Sequence, residues 1–237
     1  ETFEYYEKIS KQDNRIKVCK FDINYFNYST IVNYGVECSN GEYIVMLNND
    51  IEFITEDWIE QLLMYAQRPD VGICGAKLYF PDRSIQHAGV TLGTRGLAGH
   101  RCREVQEKDF KKDDYINIVQ DLSAVTAACF MVRKQLYIDM LGFDEKLAVA
   151  FNDVDFCMKI RTAKYLIVYN PFVEAYHYES KSRGEDTENT EKQKRFAKEY
   201  ELFVKRWSKV IAKGDPYYNK NYRLDTDLPK INYNKIN

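Results

Sequence analysis

No stretch of this 237-residue chain runs apolar for the ~18 residues that would cross a bilayer, and no two of its six cysteines form a C-x-x-C pair. A membrane-spanning helix, a local zinc site and a dithiol redox motif are therefore not encoded. Neither sign of charge dominates: 34 Lys+Arg stand against 36 Asp+Glu, a net charge of −2, which argues against a protein that grips nucleic acid through its phosphates. No repeat, low-complexity tract or Pro/Gly-rich linker interrupts the chain before its C-terminal tail, and no H-E-x-x-H, G-x-S-x-G or Walker-type loop occurs. Zincin, nucleophile-elbow hydrolase and P-loop chemistries drop out. The first ten residues carry neither an initiating Met nor a basic-then-apolar leader, so a piece of a longer protein is expected.

What is present suits one substantial core. A globule of 28.0 kDa hides roughly 70–75% of the surface its unfolded chain would expose. Most cysteines lie inside apolar runs and read as buried thiols of a reducing, cytoplasmic protein. Residues 1–10 read as helix and 15–21 as a short strand; Ser29 caps a helix to about Cys38. The apolar run 43–47 is a strand covered on both faces, ending in Asn48-Asn49-Asp50. Thr55 is the expected N-cap of an amphipathic helix carrying Trp58, Ile59, Leu62, Leu63 and Ala66, stopped by Pro69. Strand follows at 71–80, a long mobile loop at 93–117, strand-like sequence at 119–132 and a short helix at 134–141 ending at Gly142. A helix from Asn152, strands at 165–169 and from Val173 towards His177, and a helix from about Thr190 complete the pattern. Such alternation implies an α/β fold with a mainly parallel, mixed sheet flanked by helices. One domain is expected over residues 1–218, with a tail over 219–237.

Three constellations could carry chemistry. Asn48-Asn49-Asp50 leaves a strand end, where a carboxylate beside two amides can hold a hard cation or simply shape a turn. Asn152-Asp153-Val154-Asp155 opens a helix, where its carboxylates either complement the helix dipole or supply a general base. His177, with Ser180, Ser182 and Arg183 close behind, suits a diphosphate and its metal, although a lone His is more often structural. His87 and His100 flank the long loop and either touch a sugar or serve the structure.

Asn33 and Gly35, Gly41-Glu42-Tyr43-Ile44, Leu47-Asn48-Asn49-Asp50, Trp58, Gly75-Ala76-Lys77-Leu78, Gln86-His87-Ala88-Gly89-Val90, Gly142-Phe143-Asp144-Glu145, Phe151-Asn152-Asp153-Val154-Asp155 and residues 177–184 occur in this order. The set resembles the family 2 glycosyltransferases, nearest the bacterial rhamnosyltransferase-like branch of surface polysaccharide assembly, over about residues 27–218. The resemblance implies a GT-A fold, Rossmann-like in character, a nucleotide-sugar donor, a divalent cation (Mn²⁺ or Mg²⁺), a glycan or lipid-linked acceptor, and inversion at the anomeric carbon. It assigns catalysis to Asp153, the metal to Asp50 and His177, and the donor to Asn33, Asn48, Asn49, Ser182 and Arg183. Asn152, Asp155, His87 and His100 are expected on the acceptor side. The family's D-x-D motif is written Asn48-Asn49-Asp50 here, so only Asp50 keeps a carboxylate.

Family members begin with strands and a helix that form the base pocket. The expectation is therefore a chain lacking those N-terminal elements, weak in nucleotide binding by itself and with an open sheet edge that favours a homodimer. Residues 181–213 carry ten Lys/Arg and six Asp/Glu, an excess that either meets an acidic membrane surface or is a solvated helix face. The rival functions are a non-catalytic binding or assembly module and a metal-dependent nuclease or phosphatase; no basic nucleic-acid stripe supports the last.

Overall fold

A computed structural model describes residues 2–22, 24–111, 114–178 and 190–235; Ser182 and Arg183 lie outside them. In chain order the helices are α1 (Thr2–Gln12), α2 (Tyr28–Cys38), α3 (Trp58–Ala66), α4 (Lys134–Asp139), α5 (Asn152–Thr162) and α6 (Thr190–Ile211). The strands are β1 (Tyr43–Leu47), β2 (Ile51–Phe53), β3 (Val71–Tyr79), β4 (Ile85–His87), β5 (Val90–Leu92), β6 (Ala98–His100), β7 (Gln120–Asp121), β8 (Cys129–Arg133) and β9 (Leu166–His177).

The main sheet runs β1-β8-β3-β9-β2, with β4 on β3 and β7 on β9. It is mixed. β3 and β9 pair in parallel, while β1–β8, β8–β3, β3–β4, β9–β2 and β9–β7 are antiparallel. The mainly parallel pairing expected from the alternation of elements gives way because β8, reached without a crossover helix, inserts between β1 and β3 in the opposite sense. All nine residues of β3 are buried, as a strand flanked on both edges and covered on both faces must be. Helix α3 covers one face through Leu62 and Ala66, beside Cys74, Ala76 and Leu78. The other face packs against α4 and α5 through Phe130, Phe143 and Phe156, whose rings lie within 6.5 Å of one another.

Several local expectations shift for identifiable reasons. Residues 15–22 form no strand. Asn27, not Ser29, caps α2, accepting from the Thr30 N–H at 3.1 Å; Ser29 is buried and donates to the Leu147 carbonyl at 2.5 Å. Thr55 does not cap α3, which starts after Asp57; its hydroxyl bridges to Phe172 O and Glu174 N of β9 at 2.8 and 2.9 Å. That bridge supports the irregular register around Pro171, where Ala76 pairs with Asn170 but Lys77 already pairs with Glu174. The two strands expected at 165–169 and from 173 are thus one strand with a bulge.

Helix α6 is bolted on by polar groups as well as by Phe203 and Trp207. Asp155, fully buried, accepts from Trp207 Nε1 at 2.8 Å and from Arg206 at 2.6 Å. Glu199 reaches back to the Ala150 N–H at 2.7 Å. Residues 215–231 lie against the β5–β6 hairpin: Asp215 accepts from Leu92 N, Arg95 N donates to Leu224 O, and Arg95 pairs with Asp227 at 2.8 Å.

Candidate active site

Three chain segments meet beyond the end of the sheet. Strand β1 delivers Asn48, Asn49 and Asp50; β9 ends in His177; and α5 begins with Asn152 and Asp153. Register brings the first two together, because β2 pairs with β9 through Ile51 and His177, so Asp50 lies one residue from the histidine's strand partner. Tyr178 N donates to the Asp50 carbonyl at 3.0 Å. The side chains follow. His177 Nε2 is 3.1 Å from Asp50 Oδ1 and 3.2 Å from Asn48 Nδ2.

Asp153 joins through the segment 126–128. Its Oδ2 accepts from Ala127 N at 3.2 Å and its Oδ1 from Val154 N at 2.7 Å. The Ala128 carbonyl accepts from Asn48 N at 3.0 Å. Tyr28, in the first turn of α2, closes the ring: its hydroxyl donates to Asn48 Oδ1 at 3.1 Å and lies 3.4 Å from Ala127 O. Burial pushes the Tyr28 phenol well above its ordinary value, and the charges of Asp153 and Asp50 push it further, with Tyr137 adding to the shift. One hydroxyl therefore senses both carboxylates.

The histidines converge too. His87 Nε2 accepts from Thr126 N at 3.3 Å, and its Nδ1 lies 3.0 Å from His100 Nδ1. Burial holds the His87 imidazole well below its usual pKa, reinforced by His100, His177 and Arg103. His87 thus borders the segment that holds Asp153, with His100 behind it, while His177 reaches that segment only through Asn48.

A divalent cation can be judged against this donor set. Asp50 Oδ1 is buried and has no hydrogen-bond partner among the described residues, although an imidazole nitrogen lies 3.1 Å away. Two acceptor atoms facing each other fit a cation between them, and nitrogen plus carboxylate oxygen suits Mn²⁺ or Mg²⁺. No group of three or more His, Cys, Asp or Glu side chains among the described residues is arranged to hold a metal. The two-ligand set thus fits a cation that completes its shell with substrate phosphate and water.

Three expected site residues sit elsewhere. Asn33 is fully engaged with the turn after α4: Oδ1 accepts from Tyr137 Oη at 2.6 Å and Phe143 N at 3.0 Å, and Nδ2 donates to Phe143 O at 3.0 Å. Gly142 belongs to this bracket, with φ +56° and room for no Cβ, which would lie 2.6 Å from Asn33 Oδ1. Asn152 is buried and donates to Ser29 Oγ at 3.2 Å. Asp155 points into the α6 contact, because two residues along a helix reverse the direction of a side chain. Neither Asn33 nor Asp155 is placed to touch a ligand at this mouth. Two residues of the site have no role assigned from sequence: Gln86 stands only within the motif Gln86-His87-Ala88-Gly89-Val90, and Tyr28 carries no signal of its own.

The comparisons with known proteins bear on the family and the fold. The family model described as "Glycosyl transferase family 2" matches residues 1–141. An uncharacterized protein, y4gI, of Sinorhizobium fredii is 41% identical over 95% of the chain, and the O-antigen biosynthesis protein RfbC of Myxococcus xanthus is 32% identical over 84%. N-acetylglucosaminyl-diphospho-decaprenol L-rhamnosyltransferase of Mycobacterium tuberculosis is 23% identical over 61%. The chain spans only 24%, 15% and 50% of these relatives' lengths. Among solved structures, GalNAc-T7, crystallised with UDP, GalNAc and Mn²⁺, superposes with a TM-score of 0.65 at 12% identity, over 88% of this chain and 40% of that one. The shared fold is GT-A.

Proposed function

Because the chain belongs to glycosyl transferase family 2, we propose that it transfers a sugar from a nucleotide-sugar donor to a hydroxyl of a glycan or lipid-linked acceptor, with inversion, in bacterial surface polysaccharide synthesis. The observation that carries the reading is the convergence of Asp50, His177 and Asp153 around Asn48, Tyr28 and the segment 126–128.

Each group then has a task. Asp153 accepts the proton of the acceptor hydroxyl as that oxygen attacks the anomeric carbon and the bond to the diphosphate breaks. Ala127 N and Val154 N hold its two carboxylate oxygens, so the base meets the acceptor in one orientation. Asp50 Oδ1 and His177 Nε2 would hold Mn²⁺ or Mg²⁺, which when bound offsets the charge of the leaving diphosphate. Tyr28 and Asn48 keep the cation side and the base side at a fixed spacing. His100, half-buried and 3.0 Å from His87, is assigned to the acceptor side.

The relatives that name an activity act in O-antigen biosynthesis and on a polyprenol-linked acceptor, which supports a polysaccharide pathway for this chain. Among the described residues no helix is long and apolar enough to cross a membrane.

Turnover of a panel of nucleotide-sugars, with Mn²⁺ and with chelator, tests the proposal. Turnover that requires Mn²⁺ and falls in Asp50→Asn and Asp153→Asn is the expected result. Turnover indifferent to Asp153→Asn would remove the base from the account, and donor binding without any turnover would leave a binding module in place of an enzyme.

A further inference from the structure

His177 is held at both ends by one side chain. Gln86, 2% exposed at the centre of β4, lies with Oε1 2.6 Å from His177 Nδ1 and donates through Nε2 to the His177 carbonyl at 3.1 Å. The second bond fixes the amide, because a carbonyl can only accept and the amide nitrogen must therefore face it. Oε1 is then the atom facing the ring, and Nδ1 must carry a proton to donate to it.

The far side of the ring fits the same tautomer. The Tyr28 hydroxyl donates to Asn48 Oδ1, which turns Asn48 Nδ2 towards His177 Nε2 at 3.2 Å. A proton on Nε2 would point at that donor, so Nε2 presents its lone pair.

We infer that Gln86 is a positioning residue for the cation: it locks His177 in the Nδ1–H tautomer and so leaves Nε2 unprotonated beside Asp50, where a cation takes over the lone pair that Asn48 Nδ2 otherwise bonds. The inference rests on the proposed reading of Asp50 and His177 as cation ligands. An imidazole left to itself beside a carboxylate would turn a protonated nitrogen towards it, closing the site with a hydrogen bond. Outer partners of this kind typically change metal affinity by about 10- to 100-fold.

Two readouts on the full chain test it without relying on turnover. Ring ¹H–¹⁵N correlation spectra of the metal-free protein report the His177 tautomer, and calorimetric titration with Mn²⁺ reports affinity. Wild type is expected in the Nδ1–H form. Gln86→Leu, close in volume but unable to bond, is expected to populate Nε2–H and to bind Mn²⁺ about 10- to 100-fold more weakly. Gln86→Glu keeps the acceptor for Nδ1–H and is expected to retain the wild-type tautomer. Circular dichroism and thermal melting show whether each variant is folded. An Nε2–H tautomer in wild type, or a folded Gln86→Leu protein with unchanged tautomer and Mn²⁺ affinity, would overturn the inference. If wild type binds Mn²⁺ no better than Asp50→Asn, the cation reading and the purpose assigned to Gln86 both fall, while the tautomer in the same spectra still judges the lock itself.

Discussion

Asp153 and Asp155 stand two residues apart at the start of one helix and do opposite work. Asp153 faces the segment 126–128, whereas Asp155 is fully buried and ties α5 to Arg206 and Trp207 of α6. Asp153→Asn is expected to lower turnover by about 10²- to 10⁴-fold at a modest cost in stability, about 1 kcal/mol, since the amide oxygen can accept from Ala127 N or Val154 N but no longer from both. Asp155→Ala leaves a buried indole N–H without its acceptor and removes one of the two carboxylates on Arg206, which keeps Asp144 at 2.6 Å; it is expected to cost about 2–3 kcal/mol, read from urea unfolding. A large stability loss in Asp153→Asn, or none in Asp155→Ala, would reverse the two assignments. The sequence marks this pair as chemically interesting but cannot divide the roles, because the division depends on a helix that begins 35 residues later. Asn33 is missed for the same reason: its partners, Tyr137 and Phe143, lie more than a hundred residues away. Asp50 and His177 are legible because each sits where an apolar run stops, a position that local pattern does encode.

At the scale of elements, runs that are apolar throughout were placed well and those that depend on tertiary partners were not. β3 and α6 announce themselves by burial and by periodicity. The strand expected at 15–21 alternates convincingly but forms no ladder, and β9 runs through Pro171 because Thr55, from another element, ties the bulge together. The turn between β4 and β5 shows how tightly the site segments are stacked. Gly89 has φ +92°, and a Cβ there would lie 2.0 Å from Leu122 Cδ1. Gly89→Ala is therefore expected to destabilise by about 2–3 kcal/mol in chemical unfolding. It should also weaken Mn²⁺ binding by disturbing Gln86 in the adjoining strand; a stability change under 0.5 kcal/mol would mean that the stacking is looser than these distances require.

For the whole molecule, the class of fold follows from the alternation of elements, while the sense of its strands does not, since β8 returns to the sheet without a crossover. The buried histidine gives the molecule a pH signature. Folding holds His87 well below its ordinary value near 6.5, so below about pH 6.5 the unfolded chain takes up a proton that the folded chain refuses. Stability is then expected to fall with pH by up to about 1.4 kcal/mol per unit. Glu199, whose carboxyl is pushed up by burial, works in the other direction above its ordinary 4.5. The comparison of wild type with His87→Gln isolates the histidine: urea unfolding at pH 7 and pH 5.5 should show a smaller loss in the variant, and equal losses would contradict a proton-refusing His87.

The account as a whole stands on His177 and Asp50 holding a cation on the donor side while Asp153 waits on the acceptor side. Pulsed electron paramagnetic resonance of Mn²⁺ with this chain and a nucleoside diphosphate tests that division most directly. A ¹⁴N coupling from one imidazole is predicted, lost in His177→Ala and retained in Asp153→Asn. Bound Mn²⁺ that shows phosphate and water but no imidazole nitrogen would contradict it.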